Sequence, residues 1–456
     1  MFLERIETPG LVQFSYIVGS EGVFAVVDPR RDCQVYLDTV RSQGGRITHI
    51  FETHRNEDFV VGSKELAEIT GAGIYHGEEL DFAYGLPARE GDEFHLGQVR
   101  LKVLKTPGHT PESISLVIHD LSTGDAPIGV FTGDALFIGG SGRTDFYPGQ
   151  EEEMAGLLYD SIFSRLLPLG DQTVVYPAHG AGSACGEGLA ERKFSTLGYE
   201  RLCNPDLQAQ SREAFIQAKQ GEEHSYPPYF SRMEKYNLDG PPAIVPFNSL
   251  QPMGAEDFGQ AMQEGMLALD VRSPEAYCGA FIPGSLSVPL DMLPRYAGWF
   301  VALDQEVGLI AESHRDLDSA WEYLLRLGFD RVRGWLEGGL HEWSVQGKRY
   351  EHAPVVFAGE LQRRLSSGED FTILDVRTRK EFHKAHLPGA QHIFLGELPQ
   401  RMQEIGPGRP VTAFCGSGKR AVIAVSLLRQ HGIREVENCL GSIQACSRSL
   451  CEIVSS

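Results

Sequence analysis

Short apolar runs dominate the first half of the chain. "FSYIVG", "VFAVVDP", "VRLKVLKTPGH", "SISLVIHD", "PIGVFTGDALF" and "TVVYPAHG" are rich in β-branched and aromatic residues, with helical stretches between them. Their length and composition predict strands bounded by turns. Ile47, Ile50 and Phe51 predict one more strand, which runs into the polar loop "ETHRNEDF". From residue 243 onward the rhythm changes. A short apolar strand is followed by a loop, an amphipathic helix and another strand, which predicts parallel α/β sheets.

The second half repeats itself. "LALDVRSPEAYCGAFIPGSLSVPL" (267–290) matches "TILDVRTRKEFHKAHLPGAQHIFL" (372–395), placing Asp270 on Asp375, Arg272 on Arg377 and Gly284 on Gly389. "LIAESHRDLDSAWEYLLRLGF" (309–329) matches "TAFCGSGKRAVIAVSLLRQHGI" (412–433). Residues 224–246, rich in Pro, Tyr and Gly, read as a connector. Three segments result: 1–242, and two copies of one domain at 243–350 and 351–456.

Composition narrows the classes. The 456 residues are 42% apolar and 23% charged, as in ordinary globular proteins, and suit roughly two to four domains. A net charge of −21 argues against nucleic acid and anionic membranes as partners. A small anionic substrate needs only a local Arg or Lys. No apolar run is long enough to span a membrane, and "MFLERIETPG" lacks the core of a signal peptide, so a cytoplasmic location is expected. Eight scattered cysteines (33, 185, 203, 278, 415, 439, 446, 451) without a C-x-x-C pair read mostly as buried small hydrophobes in a reducing compartment.

The candidate chemistry sits where predicted strands end. "THRNED" presents His54, Asn56 and Asp58; "TPGHTPES" presents His109; "FTGDALF" presents Asp134; "YPAHG" presents His179. Any one alone reads as a turn or capping residue. Four such loops in this order resemble the metallo-β-lactamase superfamily, whose two-metal members use H-x-H-x-D-H at the first loop. In this chain one metal would keep His54 and His109 but find Asn56. The other would keep Asp58, Asp134 and His179 but find Phe59. Amide and phenyl groups are poor replacements for imidazole. The survivors His54, His109 and Asp134 are the two-His-one-carboxylate set of non-haem Fe(II) oxygenases. "SGRTDF" (141–146) extends the resemblance to the persulfide dioxygenases of this superfamily. That resemblance implies one Fe(II) per chain, with Asp58 and His179 supporting the ligands. Arg143 is expected either to contact a substrate carboxylate or to pair with Asp145. Tyr176 either faces the open iron positions or packs in the core.

"AFCGSGKRAVIAVSLL" (413–428) carries a second centre. A strand ends at Cys415, a Gly-containing loop follows, and a helix begins near Lys419. Loop amides, the helix N-terminus, Lys419 and Arg420 favour a thiolate or persulfide on Cys415. With "LDVR" (374–377) and "HLPGA" (386–390), this loop resembles a rhodanese sulfurtransferase. The middle copy aligns Ala311 with Cys415 and adds Glu312, Asp316 and Asp318, so it is expected to be silent. Its end motif "GGLHEW" (338–343) is replaced by "LGSIQACSRSL" (440–450) in the last copy.

The whole chain therefore resembles the persulfide dioxygenase–rhodanese fusions of bacterial sulfide detoxification. The fold implied is a metallo-β-lactamase αββα sandwich followed by two rhodanese-like α/β domains with parallel sheets. The implied chemistry oxidises a low-molecular-weight thiol persulfide with O2 to sulfite and thiol. Sulfur transfer at Cys415 then links persulfide, sulfite and thiosulfate. A homo-oligomer is also implied. Two other readings remain open: a glyoxalase II-like thiolester hydrolase, which needs two metals, and a metal-free sulfur carrier or scaffold with chemistry only at Cys415.

Overall fold

The computed structural model describes residues 1–182, 189–244, 250–406, 408–448 and 451–455. Cys185 and residues 245–246 of the expected connector lie outside them. The chain forms two compact units, residues 1–244 with 325–328, and residues 245–324 with 329–456.

The first unit holds two six-stranded sheets. One follows the order β1 (Phe2–Thr8), β2 (Gln13–Ser20), β3 (Val23–Val27), β4 (Arg46–Phe51), β5 (Gly73–Gly77), β6 (Leu86–Ala88). The other contains β7 (Glu93–Leu96), β8 (Val99–Lys105), β9 (Ile114–Asp120), β10 (Pro127–Gly133), β13 (Val174–Pro177) and β14 (Ser195–Thr196), the short pair β11 (Leu136–Phe137) and β12 (Gly140–Ser141) standing apart. Side chains on a strand alternate between faces, and here both faces are buried. Tyr16, Val18, Ala25 and Val27 join Leu116 and Ile118 in a central layer. Ile17, Phe24 and Val26 instead meet Tyr36, Val40 and Leu66 from the helices Gln34–Ser42 and Ser63–Thr70. Val117, Val130 and Val175 meet Leu158 of the helix Glu151–Asp160, together with Ile162 and Phe215. The layers are helix, sheet, sheet, helix. Burial on two faces is why these strands read as continuous apolar runs.

The stretch read as a connector is more structured than expected. A helix, Phe230–Asp239, buries Phe230, Met233 and Asn237. Its apolar positions recur at helical spacing, a pattern masked by the Pro and Tyr residues around it.

The second unit holds two five-stranded parallel sheets of matching order. One runs Gln251–Met253, Val332–Leu336, Val307–Ile310, Leu267–Asp270, Leu286–Ser287. The other runs Val355–Phe357, Val436–Leu440, Val411–Phe414, Thr372–Asp375, Gln391–His392. The repeated Asp and Arg make the same buried bond in each copy: Arg272 Nε donates to Asp270 Oδ1 at 2.9 Å, and Arg377 Nε to Asp375 Oδ1 at 2.9 Å. No helix among the described residues is long and apolar enough to cross a membrane.

Candidate functional site

The loops that follow β4, β8, β10 and β13 carry His54, His109, Asp134 and His179, and all four side chains are buried. His109 Nε2 lies 3.5 Å from Asp134 Oδ2, and His54 Nε2 lies 3.8 Å from the same oxygen. Ligand atoms of these three residues fall within 4.8 Å of one another, the one such group of potential metal ligands found among the described residues. Each imidazole is held through its other nitrogen. His109 Nδ1–H donates to the Arg143 carbonyl at 3.0 Å. His54 Nδ1–H donates to Thr53 Oγ1 at 2.9 Å, and the Thr53 hydroxyl donates to Asp28 Oδ2 at 2.7 Å. Those bonds set the tautomer and turn both Nε2 lone pairs inward. Neither Nε2 has a hydrogen-bond partner. Buried, unsatisfied nitrogens beside a carboxylate are costly without a cation, so these residues fit a metal ion, and two imidazoles with one carboxylate suit ferrous iron.

Two positions of the first loop supply no imidazole to the site. Phe59 is fully buried and offers no donor. The Asn56 amide turns back, donating to the His54 carbonyl at 3.2 Å. His179 lies between two carboxylates, its Nδ1 2.7 Å from Asp134 Oδ1 and its Nε2 3.0 Å from Asp58 Oδ2. Burial opposes charge on this ring, but Asp134 and Asp58 outweigh it and raise its pKa well above the ordinary histidine value. Burial takes His54 the other way, down to about 3, against the pull of Asp134 and with His109, His179 and Arg55 adding to it.

Arg143 and Tyr176, each with two expected roles, both meet protein partners. The Arg143 guanidinium is buried and bidentate on Asp145, at 2.6 and 2.7 Å, with a further bond to the Ser225 carbonyl. Of its two expected roles the structure shows the ion pair. Tyr176 packs against Tyr16 and Phe131, ring centroids 5.6 Å from each. Its ring is partly buried and packs against the central apolar layer. The "SGRTDF" segment instead serves His109: its Arg143 carbonyl orients the imidazole, Phe146 packs edge-on at 5.2 Å, and a Cβ on Gly142 would stand 2.1 Å from the Asp134 carbonyl.

Sequence reasoning missed three participants. Asn237 pins the metal loop, its Nδ2 donating to the Asn56 and Phe59 carbonyls at 2.6 and 2.7 Å while Oδ1 accepts from Val61 N–H at 3.0 Å. Glu57 is fully buried with both carboxylate oxygens unsatisfied. Glu112 accepts the Arg55 N–H at 2.7 Å. A buried carboxylate has no local sequence signature, because its partners come from distant segments.

In the second unit, Cys415 follows the strand Val411–Phe414 and is buried. The helix Lys419–Gln430 begins after Gly418, whose φ of 101° favours glycine and where an added Cβ would stand only 3.1 Å from Leu440 Cα. Gly418 N–H donates to Cys415 Sγ at 3.1 Å. Lys419 pairs with Asp291 of the middle copy, and Arg420 is bidentate on Glu381 at 2.6 and 2.7 Å. Ser442, another residue missed in sequence, braces the loop from behind: its hydroxyl accepts the Cys415 N–H at 3.1 Å and donates to the Cys439 carbonyl at 2.6 Å. Gly441–Ser442 occupies the place of Gly338–Gly339, with positive φ in both copies. The replaced end motif thus keeps its turn, followed by the short helix Ser442–Cys446. In the middle copy Ala311 stands where Cys415 does. Only residues 311–313 separate strand from helix there, against 415–418 in the active-loop copy. That shorter loop offers neither a thiol nor a cradle.

Comparisons agree with this construction. The profile of the metallo-beta-lactamase superfamily matches residues 8–179, and that of the rhodanese-like domain matches 254–346 and 357–449. A persulfide dioxygenase ETHE1 from Bos taurus is 30% identical over 263 residues, covering 54% of this chain and 87% of the relative. Hydroxyacylglutathione hydrolase GloC from Haemophilus influenzae is 28% identical over 219 residues, covering 43% and 93%. A crystal structure titled metallo-beta-lactamase from Staphylococcus aureus is 32% identical, covers 74% of this chain and 98% of that one, and superposes with a TM-score of 0.66. Fold and matches together define a metallo-β-lactamase-superfamily protein carrying two rhodanese-like domains. Within that class the chain belongs to the persulfide dioxygenase family. The relatives and the rhodanese-like domains support an enzymatic role in sulfur metabolism.

Proposed function

We propose that this chain is a non-haem Fe(II) dioxygenase that oxidises a low-molecular-weight thiol persulfide to sulfite and thiol. We further propose that Cys415 runs a rhodanese reaction linking persulfide, sulfite and thiosulfate, as sulfide detoxification requires. One observation carries the first part. The unpartnered Nε2 atoms of His54 and His109 converge on the Asp134 carboxylate, while Phe59 offers no donor and the Asn56 amide turns back to the His54 carbonyl. His54, His109 and Asp134 would hold a ferrous ion, which would supply O2 activation. The chain's own residues do the rest. Thr53 and the Arg143 carbonyl fix both imidazoles, and His179 holds a proton against Asp134. Phe146, edge-on to His109, covers that side of the site.

At the second centre, Gly418 N–H stabilises charge on Cys415 Sγ, and the Ser442 bonds hold the loop open for an incoming sulfane sulfur. The hydrolase reading needs two metals to activate water, and a pure sulfur carrier needs none. Elemental analysis of anaerobically purified protein and persulfide-dependent oxygen uptake separate the three. We expect one iron per chain, negligible zinc, and uptake with glutathione, coenzyme A or bacillithiol persulfide. Two zincs without uptake would sink the dioxygenase. The family resemblance also supports a homo-oligomer, which light scattering refutes if the only species seen is the 50.3 kDa chain.

A further inference from the structure

We propose that Glu57 is a fourth protein ligand to the metal, so that the site is two histidines and two carboxylates. The inference rests on the mononuclear reading above and deepens it. Glu57 is fully buried, and neither oxygen has a hydrogen-bond partner. Its Oε2 lies 3.5 Å from His109 Nε2, on the opposite carboxyl oxygen from the Arg55 contact, where Nη2 is 3.5 Å from Oε1. Arg55 is shared with Glu234 at 3.4 Å, so it does not balance Glu57 alone.

His109 donates its Nδ1 proton to the Arg143 carbonyl, which leaves a lone pair on Nε2. A carboxylate facing a lone pair repels it unless a proton or a metal cation lies between them, and a metal ion satisfies both carboxylates and the imidazole at once. Asp134 faces the same Nε2 at the same 3.5 Å. Donor atoms around one ion at about 2.1 Å stand roughly 3.0–3.5 Å apart, so both carboxylates are spaced from His109 as partners in one coordination shell. Glu57 lies just outside the compact triad, on its His109 side, and reaches the ion by side-chain rotation. It follows Asn56 in sequence, at the loop where an imidazole donor has been lost. The loss is thereby made good by an oxygen donor, of the kind the two-His-one-carboxylate sites of ferrous iron already use.

The test uses Co(II) as a probe on the metal-free full-length chain, read by binding affinity and by the ligand-field absorption spectrum. Wild type is expected to bind one Co(II). Glu57→Gln is expected to bind at least tenfold more weakly, with a changed spectrum as the coordination number falls. Glu57→His, which returns an imidazole donor, is expected to restore affinity with a different spectrum. It also keeps the test alive if the Gln variant misfolds. If wild type binds one Co(II) and both variants match it in affinity and spectrum, Glu57 is no ligand, and the mononuclear reading still stands. If wild type binds no Co(II), the inference and the reading fall together.

Discussion

Thr53 is the residue through which a buried carboxylate reaches the metal site. Asp28 accepts both the Thr53 N–H at 2.8 Å and its hydroxyl at 2.7 Å, and the hydroxyl oxygen accepts from His54. Burial pushes the Asp28 carboxyl up to about 7, the Thr53 bonds opposing. Its backbone is also unusual, with φ of 48°, a strained conformation of the kind that persists where surroundings enforce it. Thr53→Val keeps the volume and removes the relay. Outer-shell partners of metal ligands are typically worth about 10–100-fold in affinity, so metal binding measured by chelator competition should weaken within that range. An unchanged affinity would show that the relay does not orient His54.

The repeated domain shows what an element contributes beyond its residues. In both copies a strand, a loop and a helix occupy the same sheet position, yet only the longer Gly-containing loop folds around a thiol. Helix Arg379–Lys384 supports it through a capping box in which Glu381 caps its own helix and also grips Arg420. Burial acts against ionisation of Glu381, but Arg420 overrides it and holds the carboxyl down to about 2, below its ordinary 4.5. A depressed carboxyl stabilises the folded state above its unfolded value and loses that contribution as pH falls. The pair should therefore contribute fully above about pH 4.5 and fade toward pH 2. Urea unfolding at neutral pH and at pH 3.5 should differ less for Glu381→Gln than for wild type; an equal difference would remove this pair as a cause of acid sensitivity.

For the whole molecule, the proposed function gives the fusion a purpose: it would raise the concentration of an intermediate shared by the two centres. The centres belong to separate compact units, with separate cores. Cys415→Ser should therefore abolish sulfurtransferase activity and leave persulfide-dependent oxygen uptake intact. Loss of both activities would mean that the centres are chemically interdependent.

Local patterns settled much of this protein. Short continuous apolar runs, buried on both faces, announced the strands, and a repeat of Asp, Arg and Gly at fixed spacing announced the paired domains. The strand-end residues His54, His109 and Asp134 were legible because turn chemistry and metal ligands are written in a few adjacent positions. The Cys415 loop was legible for the same reason. Tertiary structure alone decided what depends on distant segments meeting. Arg143 became a buried ion pair and Tyr176 a ring packed against the core. Asn237 crossed from a stretch read as connector to pin the metal loop, Ser442 came to brace Cys415, and Glu57 was carried inward beside His109. A pattern of adjacent residues specifies which elements form. Which polar groups those elements bury against one another is fixed only when the chain has folded, because desolvation and pairing are properties of the assembled neighbourhood.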